Sequence, residues 1–187
     1  MAKIETNPVV DAIRGSIGDL VFRHLGHQTI VGRRPGGTDR APTPGQEAVR
    51  ERFRQAAICG KAVLADPASR QIYETAAHNR GLPVFSVTVA DFFNAPTVDA
   101  VDLSGYTGKS GEPIRIRATD DFEVVAVKVT IRTVEATTLE PGPAVAPGSP
   151  DWVYTTKTAL TLGQHVSIDV TATDRPGHAT TRTESKG

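Results

Sequence analysis

The sequence predicts an α+β chain in which an N-terminal β-hairpin and a helical hairpin precede an antiparallel β-sandwich. Three observations carry this. Between Thr43 and Arg80 apolar residues recur every three or four positions, the spacing of one helix face. Beyond Pro96 the apolar period falls to two, the spacing of half-buried strands. Between the two regimes stands Asn94-Ala95-Pro96, and proline disfavours helix at the residue before it. A domain boundary is expected there, with residues 1–95 forming one domain and 97–187 the other.

Ile17 to Arg33 reads as the hairpin, with Leu20, Phe22 and His24 on one face of its first strand and Ile30 and Val31 in its second. Gly26-His27 suits a two-residue turn, because glycine supplies the positive φ required at the first central position. Arg34 to Pro42 is a loop by its proline and glycine content. Thr43-Pro44-Gly45-Gln46 then reads as a capping box that starts a helix, with proline where a missing amide costs nothing. Val49, Phe53, Ala56, Gly60 and Val63 place one apolar stripe on that helix as far as about Ala65. Asp66-Pro67 opens a second helix, whose apolar side holds Ile72, Tyr73, Ala76 and Ala77 and whose stop is Gly81. Phe85 to Phe93 reads either as a strand, by its β-branched residues, or as a short helix, by the spacing of Val89, Phe92 and Phe93, and the helix is favoured.

The later strands appear as alternating rows. Ile114, Ile116 and Ala118 form the first, and Val125, Val127, Val129 and Ile131 the second. Trp152, Tyr154 and Thr156 form the third, and Val166, Ile168, Val170 and Ala172 the fourth. Pro141 to Pro150 is expected to be a long sheet-to-sheet loop, since proline cannot donate regularly to a ladder.

On the segments IRIRATDDFEVVAVKVTI, DWVYT and HVSIDVTATDRPGH, this half resembles the bacterial immunoglobulin-like and cadherin-like sandwiches, whose penultimate strand commonly ends in an ATD-x-x-G turn. The resemblance implies an immunoglobulin-like fold and a role in adhesion, spacing or decoration, as in surface proteins and phage virions, and it implies no reaction. Gly15, Gly18, Leu20, Val21, Arg33, Pro35, Gln46, Arg52 and Phe53 together resemble the opening of a family of uncharacterised bacterial proteins, from which no activity carries over.

Composition narrows the function classes. The chain has 187 residues, 39% of them hydrophobic and 22% charged, which suits two modest globular units rather than a disordered or fibrous chain. Net charge is zero, but residues 1–80 hold 12 Lys and Arg against 8 Asp and Glu, whereas residues 81–187 hold 9 against 13. That mild basic excess is too small for a dedicated nucleic-acid binder, and it lets opposite halves of neighbouring copies attract. MAKIETNPVV lacks the pattern of a secretory signal, and no apolar run reaches a membrane span, so the expectation is cytoplasmic synthesis, no membrane partner, and an extracellular or virion-associated destination only by another route. A single cysteine, Cys59, excludes an internal disulfide.

The candidate chemistry is sparse. Gly108-Lys109-Ser110 matches the tail of a phosphate-binding loop, yet Leu103 stands where its first glycine belongs and a strand follows where a helix is needed. His24, His27, His78, His165 and His178 show no zinc-ligand spacing, and Cys59 in mid-helix reads as a packed thiol. Asp120, Asp121 and Asp174 are the metal candidates: in an immunoglobulin-like topology their two turns lie at the same end. Calcium wants roughly six to eight oxygens, with Glu123 or carbonyls completing the set. The plainer reading of the three is solvated turn formers, so no cofactor is expected, and calcium is the one candidate. Arg23, Arg33, Arg34, Arg50 and Arg54 are the interaction candidates, since the guanidinium fork suits carboxylate or phosphate, although Glu47 and Glu51 sit three residues before Arg50 and Arg54 and mark an ordinary solvated helix face.

The reading that follows is a non-enzymatic, self-assembling structural protein, a filament or virion-associated subunit whose partners are copies of itself and whose sandwich faces outward. The segment KIETNPVVDAI is expected to dock as an added strand on a neighbour's sheet edge. The alternatives are a monomeric adhesion or ligand-binding module and a nucleic-acid-binding protein acting through the basic half.

Overall fold

The computed structural model describes residues 2–4, 15–25, 28–34, 36 and 41–187. The chain forms two compact units, Met1–Pro44 and Gly45–Gly187.

The first unit is a four-stranded antiparallel sheet in the order β1-β4-β3-β2, from β1 (Ala2–Ile4), β2 (Gly15–Ile17), β3 (Leu20–Leu25) and β4 (Gln28–Arg33). The expected hairpin is β3–β4, with Leu25 opposite Gln28; its turn, Gly26-His27, lies outside the described residues. A second hairpin precedes it, because Gly18 at φ 57° permits the tight reversal that sets Ile17 opposite Leu20. Ala2–Ile4 pairs with the chain's own β4, Lys3 opposite Ile30, and so occupies an edge within its own sheet rather than on a neighbour. The rest of the proposed docking segment lies outside the described residues.

The second unit begins with α1 (Pro44–Ala65), α2 (Pro67–Arg80) and α3 (Val84–Phe93). The predicted punctuation is in place. Asp66 accepts the Ser69 amide at 2.8 Å as N-cap, and Gly81 at φ 63° closes α2 by donating back to Ala77 and His78. The helices share a small core of Tyr73, Ala77 and Val87, flanked by Val63, Leu64, Val84 and Phe122. α3 therefore joins what the sequence suggested was a two-helix hairpin. Gly60 lets α1 approach it, for a Cβ there would stand 2.6 Å from the Thr88 hydroxyl.

Eight strands follow: β5 (Thr97–Asp102), β6 (Pro113–Thr119), β7 (Val124–Thr133), β8 (Thr138–Pro143), β9 (Val145–Gly148), β10 (Asp151–Thr155), β11 (Val166–Asp174) and β12 (Ala179–Lys186). They form two antiparallel sheets, β5-β6-β10-β9 and β12-β11-β7-β8. Lettered A, B, C, C′, D, E, F and G in chain order, the sheets read A-B-E-D and G-F-C-C′, the immunoglobulin-like arrangement. Ile114, Ile116, Ala118, Val127, Val129, Ile131, Tyr154, Val166, Ile168, Val170 and Ala172 fill the space between them, as the alternation predicted.

Three expectations change. Val125 is 42% exposed rather than in the core row, because the β7–β11 register slips between Thr173–Ala126 and Asp174–Val124 and leaves Val125 as the extra residue of a bulge. The proline-rich stretch is not a long loop: β8 and β9 are both edge strands, and the chain crosses between sheets at the buried Ala144. Edge position is what admits Pro141 and Pro143. The compact units part at Pro44 rather than at Pro96, because α2 and α3 bury their apolar faces with Phe122 from the turn that joins β6 to β7.

Candidate metal centre

Asp91 is the one charged residue of α3, and the helix's buried face is Val87, Thr88 and Asp91, three and four residues apart. Turning Val87 inward thus turns Asp91 inward too, and it is 1% exposed. Its Oδ2 accepts a hydrogen bond from the Tyr73 hydroxyl, while its Oδ1 is buried with no partner. Burial raises the Asp91 carboxyl to about 6 against the opposing pull of the Tyr73 bond, and the charges of Asp120, Asp174 and Asp121 push the same way as burial.

The β6–β7 turn brings the other two carboxylates. Asp120 Oδ2 accepts the amides of Phe122 and Glu123, each at 3.0 Å, which fixes the turn, and its Oδ1 is buried and unpartnered like that of Asp91. Asp121 is exposed, and its Oδ2 accepts from the Asn94 side chain at 3.0 Å. One carboxylate oxygen from each of Asp91, Asp120 and Asp121 lies within 4.8 Å of the others.

Of the predicted trio, Asp120 and Asp121 converge, and Asp91 stands where Asp174 was expected. Asp174 does lie at this end of the sandwich, but its carboxylate is consumed by its own turn. It accepts the amides of Gly177 at 2.8 Å and His178 at 2.6 Å and pairs with His178 Nδ1 at 2.9 Å, which is the physical content of the ATD-x-x-G pattern. Glu123 is engaged by Arg175 at 2.6 Å. Sequence reasoning missed Asp91 because it weighed the segment for helix or strand, yet a lone carboxylate inside VFSVTVADFF was the available signal.

The remaining candidates are placed apart. Arg23, Arg33 and Arg34 belong to the first unit and Arg50 and Arg54 to the second; all five are exposed, and Arg54 pairs with Glu51. The amides that a phosphate would need in the Gly108-Lys109-Ser110 loop are turned to Glu112, which accepts from Thr107 N at 2.6 Å and Lys109 N at 2.9 Å. Cys59 is half-buried, and burial, with the charges of Asp91 and Asp174, pushes its thiol up and disfavours the thiolate. Among the described residues no helix is long and apolar enough to cross a membrane.

The chain matches no protein-family model, and no curated protein is significantly similar to it. Among solved structures it is similar to CopC from Methylosinus trichosporium OB3b, at 12% identity and a TM-score of 0.36, over 48% of this chain and 89% of that one. An engineered protein matches at 16% identity and a TM-score of 0.34, over 55% of this chain and 26% of that one. A conjugate transposon protein from Bacteroides vulgatus matches at 13% and 0.26, over 49% and 82%. Likenesses of this degree carry no argument, and the sandwich assignment rests on strand order and register.

Proposed function

We propose that this chain is a non-enzymatic, self-associating structural protein, a subunit of a filament or virion-associated assembly, in which residues 1–95 supply the contacts between copies and the sandwich is the projecting body. The observation that supports it most is the incomplete cover on α1. Its apolar stripe is buried in the second half, at Ala56 and Gly60, but the same stripe continues to Val49 and Phe53, which are 66% and 52% exposed. An amphipathic stripe left open from Val49 to Phe53 marks an interaction surface. The occupant is a second copy, because the basic first 80 residues, 12 positive against 8 negative, complement the acidic remainder, 9 against 13, on a neighbour. The resemblance to bacterial immunoglobulin-like and cadherin-like modules favours the same role.

Light scattering on the full chain across roughly a hundredfold range of concentration tests this, since association shifts by mass action. Mass should rise with concentration, less so at high salt, and the double substitution Val49→Asp with Phe53→Asp should hold the chain monomeric. A wild-type protein that stays monomeric throughout rejects the reading. Undiminished association of the double variant rejects this face as the contact.

A further inference from the structure

We propose that Asp91, Asp120 and Asp121 bind one hard divalent cation, calcium by ligand type, and that this ion ties α3 to the β6–β7 turn. The carboxylate cluster alone would not carry this; the state of Asp91 does. Its side chain is 1% exposed and leaves Oδ1 buried without a partner, Asp120 Oδ1 is buried and unpartnered as well, and one carboxylate oxygen of each of the three residues lies within 4.8 Å of the others. Buried polar atoms are nearly always satisfied, and a buried carboxylate is retained where a cation, a proton or a donor answers it. The protein's own cations are committed elsewhere. Arg175 pairs with Glu123, His178 with Asp174, and Arg80 donates to the Asp121 carbonyl at 2.6 Å; among the described residues no Lys or Arg forms an ion pair with any of the three aspartates.

Ligand chemistry selects the ion. The donors are carboxylate oxygens with no imidazole or thiolate among them, the set a hard cation takes, and calcium accepts an irregular shell of such oxygens and waters where magnesium demands a near-ideal octahedron. Three carboxylates on one partly open site, with waters completing the shell, place the affinity near 10⁻⁴ M by order of magnitude.

The test uses the full chain and calcium chloride. Titration calorimetry should show about one calcium per chain, and about 10 mM calcium should raise the thermal midpoint by roughly 5 °C or more over chelator-treated protein. Asp91→Asn and Asp120→Asn, both near-isosteric, should each weaken binding by on the order of tenfold or more. Asp174→Asn, which removes a carboxylate from the same end of the sandwich, should leave binding intact. Location is read independently with terbium: emission excited through tyrosine should appear in the wild type and drop sharply in Tyr73→Phe, whose hydroxyl bonds the Asp91 ligand, while calcium affinity in that variant stays within a few-fold. Absence of calcium heat and of any midpoint shift overturns the proposal. So does calcium binding that survives both Asp91→Asn and Asp120→Asn, or terbium emission indifferent to Tyr73→Phe. Should Asp120→Asn fail to fold, Asp91→Asn decides alone, because it removes a buried charge and leaves the Tyr73 bond an acceptor.

Discussion

Tyr73 and Phe122 stack with ring centroids 4.3 Å apart and planes 15° from parallel, joining α2 to the β6–β7 turn of the sandwich. Tyr73 is 1% exposed, and Phe122 also lies under the Arg80 guanidinium, 5.6 Å from its ring centre. Removing the ring deletes an apolar tie between the helices and the strands. Phe122→Ala is expected to cost about 2 kcal/mol, below the range for a fully buried phenylalanine because this ring is half-buried. Urea unfolding measures the loss, and hydrogen exchange should show α2 amides losing protection before those of β7 and β11. Equal loss in both places would mean that the stack is not the joint.

A second expectation concerns Gly60. Alanine in mid-helix ordinarily gains about 1 kcal/mol over glycine, but a methyl here would sit 2.6 Å from Thr88 Oγ1 and 3.3 Å from the Phe85 ring. Thr88 is buried and its hydroxyl donates to the Phe85 carbonyl at 2.9 Å, so it has little room to yield. Overpacking at about 1–3 kcal/mol outweighs the propensity gain, and Gly60→Ala should lower stability by about 1 kcal/mol. Combining it with Thr88→Ala removes the clash, so the double variant should be more stable than the sum of the two single effects. Strict additivity would show that α1 is not held against α3 by this contact.

Glu112 sets an acid limit. Hydrogen bonds from the Thr107 side chain and the Lys109 amide, chief among several influences, lower its carboxyl from 4.5 to about 2. A group whose pKa falls on folding contributes stability that is complete above its unfolded value and is lost as pH drops toward the folded one. The contribution is therefore present above about pH 4.5 and fades between 4.5 and 2. Thermal midpoints of wild type and Glu112→Gln should differ at pH 6 and converge as pH approaches 2. A difference that persists unchanged at the acid end contradicts this origin.

Where a local signal exists, the sequence read correctly. Asp66-Pro67 and Gly81 announce the ends of α2 because caps act through their nearest amides. The inward residues of β6 and β11 announce their faces because the strand period is two. What could not be read there is decided by partners distant in the chain. The bulge at Val125 depends on how β11 registers against β7, and the placement of α2 and α3 with the sandwich depends on Phe122, one aromatic in the polar turn DDFE. The metal centre was half legible for the same reason. Asp120 and Asp121 are neighbours in sequence, whereas Asp91 reaches them only once α3 packs beside that turn.

Glu140 carries the last expectation. It is a carboxylate on the edge strand β8, 5% exposed, and it accepts the amides of Lys157 at 2.9 Å and Thr158 at 2.6 Å together with the Tyr154 hydroxyl at 3.3 Å. It thereby holds the chain leaving β10 in one sheet against an edge of the other. Burial, then the charge of Glu140 and its hydrogen bond, push the Tyr154 phenol up to about 12, so the tyrosine remains a donor throughout the neutral range. Glu140→Ala orphans two part-buried amides and a buried hydroxyl and should cost about 2 kcal/mol, whereas Tyr154→Phe removes only the longest of these bonds and should cost about 1 kcal/mol or less. Glu140→Gln falls between them, because it keeps one acceptor oxygen but presents an amide donor to groups that themselves donate. Urea midpoints of the three variants should follow that order, and a Tyr154→Phe variant as damaged as Glu140→Ala would show that the phenol, rather than the backbone amides, is what the buried carboxylate serves.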